Sequence, residues 1–152
     1  METRLPSLVL TGAPGLFEIV FALFAFSILI AIVPFVFYLI TLQNTLELVS
    51  PENRRMSPAN VWLSYVPIFG IAWQFVIVSS LTSSLKAEFA SRGIEPAGQN
   101  FGNGIGIAYS ILFCLNLIPF VGEFTFLAAL ICWIIYWVRI SNLKLQLSEI
   151  KS

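Results

Sequence analysis

Residues 16–42 read LFEIVFALFAFSILIAIVPFVFYLITL, and the only charged side chain among them is Glu18. An α-helix needs ~20 apolar residues to cross a hydrocarbon core of about 30 Å, so this run has length to spare. Its apolar residues are continuous rather than alternating, which fits a helix and excludes the strand of a transmembrane barrel. Each unpaired backbone amide in a bilayer costs several kcal/mol, and a helix pairs them all. Three further runs of the same kind follow, at about 61–81, 104–121 and 124–140. The expected fold is an all-α integral membrane protein: one domain over residues 1–152, with four transmembrane helices in an antiparallel bundle.

Composition agrees. The 152 residues are 58% hydrophobic and 11% charged, against about 25% charged in soluble domains, and the mean hydropathy is +0.89. Eight basic residues balance eight acidic ones, all Glu, so nothing directs the chain towards nucleic acid. There is no histidine, which removes the commonest general base, zinc ligand and haem ligand. Cys114 and Cys132 fall inside expected spans, where cysteine packs as a small apolar residue. No phosphate loop, H-E-x-x-H or G-x-S-x-G elbow is present. Gly102-Asn-Gly-Ile-Gly follows no strand and is no dinucleotide loop. The expectation is a protein that is not an enzyme and holds no cofactor or metal.

Along the chain, the N-terminus lacks the form of a cleavable signal, because its apolar run is about twice the length of an h-region. The first helix is therefore expected to stay, with Leu8-Val-Leu at the interface and Pro14 opening the helix. That helix runs towards Leu48 through Pro34 and ends amphipathic. Ser57, followed by Pro58, has the form of a helix N-cap, and the helix it opens is expected to continue unbroken to about Ala90. Residues 91–103 form the long loop. Helix three ends at Pro119, and the turn Phe120-Val-Gly-Glu makes helices three and four an antiparallel hairpin. Glu123 suits the start of helix four, which continues beyond Arg139 as an amphipathic tail.

Four crossings put the N-terminus, the second loop and the C-terminus on one side, with Arg4, Lys86, Arg92, Arg139, Lys144 and Lys151. Arg54 and Arg55 lie opposite. By the positive-inside rule both termini are cytoplasmic.

Ionisable groups in a membrane are site candidates by default. Glu18 and Arg139 both fall near the cytoplasmic boundary of that topology, where the expected roles are a structural ion pair, interfacial snorkelling or, for Glu18, a transport carboxylate. Gly102, Gly106, Ser110 and Cys114 recur every four residues and line one face of helix three, the small-residue spacing that permits close helix approach. Gln74 and Asn116 are buried polar residues suited to interhelical hydrogen bonds. Val33-Pro-Phe-Val, Val66-Pro-Ile-Phe and Ile118-Pro-Phe-Val each set a proline among apolar and aromatic residues, as helix kinks or ends. The aromatic residues Trp62, Tyr65, Trp133, Tyr136 and Trp137 include interface anchors.

The stretch Ser57-Pro-Ala-Asn-Val-Trp-Leu-Ser-Tyr-Val-Pro-Ile-Phe-Gly-Ile-Ala-Trp-Gln-Phe, followed by Ser84-Leu-Lys-Ala-Glu-Phe, resembles small four-helix bacterial membrane proteins classed as a domain of unknown function. The likeness covers about residues 37–148. It implies a bacterial inner (cytoplasmic) membrane and carries no activity. The expected role is a non-enzymatic accessory, assembly or scaffold subunit. Its partners would be the lipid bilayer and other membrane protein subunits or a second copy, with no nucleic acid. The alternative is a small oligomeric transporter or channel using Glu18.

Overall fold

The computed structural model of the chain describes residues 15–94 and 100–151. The expected interfacial segment Leu8-Val-Leu, the helix start at Pro14, Arg4 and part of the long loop lie outside the described residues. Those residues are all-helical, with no strand among them. The helices are α1 (Leu16–Leu48), a 3-10 helix (Pro58–Tyr65), α2 (Phe69–Ser91), α3 (Asn103–Leu115) and α4 (Val121–Lys151). Two of them, Leu16–Leu48 and Val121–Ile150, are long and apolar enough to cross a membrane.

The chain divides into two compact units, with the boundary after Val36 and inside α1. In the first unit the described residues from Leu16 onwards are helix alone. Phe17, Phe21, Phe24 and Leu29 stand exposed, and Phe17 stacks on Phe21 at 6.5 Å between ring centroids. Ser27, the one hydroxyl residue among the described residues of this unit, returns its Oγ to the Phe24 carbonyl, which costs the helix no interior polar partner.

In the second unit each helix turns an apolar stripe inwards at helical spacing. Leu39, Leu42 and Leu46 come from α1, Ile77, Leu81 and Leu85 from α2, and Ile140, Leu143 and Leu147 from α4. Residues three and four apart share a face, so these stripes form the core. Neighbouring contacts fix the directions. Phe89 meets Phe101 at 5.8 Å, and Tyr109 reaches Gln74, so α3 runs antiparallel to α2. Tyr109 also packs on Tyr136 at 5.5 Å, at the centre of the α3–α4 hairpin. Tyr38 lies against Trp133 at 5.4 Å, and Trp137 donates to the Thr41 hydroxyl at 3.0 Å.

Three sequence expectations need correction. The second helix is not one piece. In a helix the Pro67 ring would crowd the carbonyl four residues back, and Pro67 has no amide. Val66 is therefore extended, Ile68 takes φ 64°, and the 3-10 helix stops before α2 begins. Helix three ends at Leu115, short of Pro119, where Asn116 bonds its own Leu112 carbonyl. The turn into α4 is correspondingly earlier: Phe120 has φ 68°, and Val121 is already helical.

The third correction concerns the loops. Ser50 and Asn53 of the first loop hydrogen-bond to Glu88, and the Arg55 amide donates to Ser84 Oγ at 2.8 Å. The first loop therefore sits at the C-terminal end of α2, at the same end of the unit as the residues that open the second loop. Further along, Trp73 donates to the Asn60 carbonyl at 2.8 Å. A Cβ on Gly70 would run into the Ser64 carbonyl. The chain from Arg55 to Tyr65 thus lies along α2 and antiparallel to it, as the descending arm of a hairpin.

Candidate functional site

Two polar assemblies stand out inside the second unit, and each is built by elements distant in sequence. The first centres on Glu88. Its place in α2 turns it towards the loop that follows α1, and the residue is 1% exposed. Ser50 donates its amide to Oε2 at 3.0 Å and its hydroxyl to Oε1 at 2.9 Å. Asn53 Nδ2 donates to Oε2 at 2.8 Å, and Arg92 donates Nη2 at 2.6 Å and Nε at 3.0 Å to Oε1. Burial alone pushes the carboxyl pKa up. The Asn53 amide, the Arg92 guanidinium and the two Ser50 donors outweigh that and bring it down to about 2. Charge-assisted bonds of this kind are the strong ones. Beside them Arg54 donates to the carbonyls of Glu47 and Val49, which satisfies acceptors left open at the end of α1. The chemical result is a clasp. A carboxylate this acidic and this fully occupied is a poor general base, and it ties α1, the first loop and α2 together.

The second assembly joins α1, α2 and α3. Tyr109 donates its hydroxyl to Gln74 Oε1 at 2.6 Å, so at the 2.8 Å contact between the two tyrosine oxygens Tyr38 is the donor. Tyr38, Tyr109 and Tyr136 are almost wholly buried. The Tyr136 hydroxyl is buried without a hydrogen-bond partner among the described residues. A polar chain in an apolar core fixes helix register, because any slip would strand its donors.

The residues singled out from the sequence distribute as follows. Glu18 is exposed in the first turn of α1, in the first unit. Arg139 is half-buried on α4, in the second. Gly102, Gly106 and Ser110 are buried and Cys114 is half-buried. A Cβ on Gly106 would stand 2.6 Å from Val78 Cγ1 and 2.8 Å from Tyr136 Cε2. This face of α3 therefore meets α2 and α4 together. Gly102 has φ 78°, a left-handed conformation suited to glycine, and Tyr136 lies against it. Ser110 Oγ returns to the Gly106 carbonyl at 2.8 Å. Gln74 is buried and bridged to α3, whereas Asn116 is half-buried and bonds within its own helix.

Sequence reasoning missed Glu88 and the tyrosines. Glu88 and Arg92 were legible as an i, i+4 pair, but the other donors come from 35 and 38 residues away. Among the described residues no three His, Cys, Asp or Glu side chains are grouped to hold a metal ion. In comparisons with known proteins, no protein-family model, curated protein or solved structure matches the chain.

Proposed function

We propose that this chain is a non-enzymatic integral membrane protein of the bacterial inner membrane. It serves as an accessory, assembly or scaffold subunit that packs against a larger membrane complex or a second copy of itself. The observation that carries the reading is the N-terminal part of α1, whose most apolar 18-residue window is 0% buried. A surface of exposed Phe, Leu and Ile that long needs a cover, and hydrocarbon is the solvent that fits it. The outward residues of α4, among them Phe124, Leu127, Ile131 and Ile135, are exposed in the same way. In the second unit the most buried acid among the described residues is committed to a clasp, which supports a structural role over a catalytic one.

Purification from native membranes in mild detergent, with mass spectrometry of what co-purifies, tests this. The expected result is a chain that stays in the membrane pellet through an alkaline wash and emerges with stoichiometric membrane subunits or as an oligomer. The competing reading, transport through Glu18, rests on that acid's place in the first turn of the most apolar helix. Proton- or cation-coupled flux in vesicles, lost in Glu18→Gln with the fold intact, would establish it instead.

A further inference from the structure

Between Arg55 and Lys86 no residue is charged. A stretch of that length suffices for a full crossing, yet the structure folds it back on itself. One arm is the 3-10 helix with the residues before it, the other is α2, and the turn is Val66-Pro-Ile-Phe. The arms are joined by the contacts of Arg55 with Ser84, Asn60 with Trp73 and Ser64 with Gly70. At the open end stand Glu88, Arg92 and the first loop. From Leu81 back to Ile68 the apolar part of α2 rises only ~20 Å at 1.5 Å per residue, short of the about 30 Å a crossing requires.

The tip has its own chemistry. Ile68 is 85% exposed, Phe69 46% and Val66 44%, so the turn presents apolar side chains outwards. Ile68 does so from φ 64°, a region that disfavours β-branched residues by ~1–3 kcal/mol. In water a strained turn exposing an isoleucine has nothing to offset it. Irregular backbone is costly in hydrocarbon unless its polar groups are paired, and here all but one of the turn's amides are. The amides of Phe69, Gly70 and Ile71 reach the carbonyls of Pro67, Val66 and Ile68, and that of Val66 reaches Leu63; Pro67 has no amide, which leaves the Ile68 amide as the one open donor of the turn. Above the tip, Trp62 stacks on Tyr65 at 6.0 Å and donates to Gln43, an arrangement suited to the membrane interface. Antiparallel pairing of α2 with α3 brings a second exposed apolar turn, with Phe120 at φ 68° and 85% exposure, to the same end of the unit.

We propose that the 3-10 helix and α2 form a re-entrant hairpin. It enters the hydrocarbon layer from one face, turns inside it at Pro67–Ile68 and returns to the same face, so that lipid acyl chains are the partner of the tip. The inference rests on the membrane reading above and adds a surface and a depth to it.

The experiment uses the full chain with Cys114 and Cys132 replaced by alanine. Single cysteines are placed at Glu52 and Ala90, both exposed at the open end, and at Ile68. In sealed vesicles an impermeant maleimide should label Glu52→Cys and Ala90→Cys from the same side. Ile68→Cys should be labelled from neither side, and a fluorophore attached there after solubilisation and reconstitution should be quenched by acyl-brominated lipid. Phe69→Cys, in ordinary helical backbone, gives the same readout should the Ile68 variant misfold. Labelling of Glu52→Cys and Ala90→Cys from opposite sides would make α2 a through-going span and overturn the proposal. So would aqueous labelling at positions 68 and 69. Loss of the whole chain from the alkaline-washed pellet would instead reject the membrane reading itself, so the two failures are distinguishable.

Discussion

Among the described residues, the Glu88 carboxylate gathers hydrogen bonds from Ser50, Asn53 and Arg92. Glu88→Gln keeps the shape but removes the charge that Arg92, Ser50 and Asn53 converge on. Breaking a buried charged pair in this way is expected to cost about 3 kcal/mol, lowering the melting temperature in detergent by on the order of 10 °C. The pH dependence has a definite sign. The folded pKa lies at about 2 against an ordinary 4.5, so the clasp contributes fully above pH 4.5 and is lost as pH falls towards 2. Thermal melts across that window should decline in the wild type and lose that component of the decline in Glu88→Gln. The tyrosines offer a second contrast. Tyr109→Phe removes the bonds to Gln74 and Tyr38 and should cost about 1–2 kcal/mol, whereas Tyr136→Phe removes a buried hydroxyl with no partner among the described residues and should be near neutral or stabilising. Little of this was legible beforehand, because neither assembly leaves a local pattern. Buried tyrosines look like interface anchors until their partners on other helices are known.

Among the elements, α3 packs against α2 and α4 together, and its small-residue spacing was its clearest signal. Gly106 sits where Val78 and Tyr136 leave no room for a side chain. Gly106→Leu should therefore overpack the junction and destabilise by roughly 1–3 kcal/mol. Gly104, two residues away with nothing near it, is the control: Gly104→Ala should be neutral or gain up to ~1 kcal/mol of helix propensity. Chemical or thermal unfolding of the two variants in one detergent makes the comparison, and equal stabilities would detach the glycine face from its neighbours. Helix existence was readable throughout, since apolar runs of this length have few alternatives, and α1 ends at the expected Leu48. The break at Pro67 was not. A long apolar helix can keep an interior proline, as α1 keeps Pro34. What decides between kink and hairpin is whether the preceding arm finds partners on the following helix, and that lies in tertiary contacts such as Trp73 with Asn60.

For the whole molecule, folding the first loop onto the end of α2 changes how its charges are counted. Arg54 and Arg55, set against the remaining basic residues by a four-crossing topology, join Lys86 and Arg92 at one end. With the counterweight gone, that end is expected to face the cytoplasm, and impermeant labelling of Glu52→Cys in intact cells should fail. Glu18→Gln should leave membrane integration and co-purifying subunits unchanged, and a flux assay that depended on Glu18 would move the protein into the transporter class. The clasp also bears on biosynthesis. Ser50 leaves the ribosome 38 residues ahead of Glu88, and in that interval the uncharged stretch between them has the composition of an ordinary stop-transfer segment. Until Glu88 is made, the two arms have only the contacts of Arg55, Asn60 and Ser64 with the helix that follows. Glu88 and Arg92 arrive last and fasten the open end of the hairpin to the first loop. Nascent chains carrying Glu88→Gln should be those in which position 90 partitions between the two faces of the membrane.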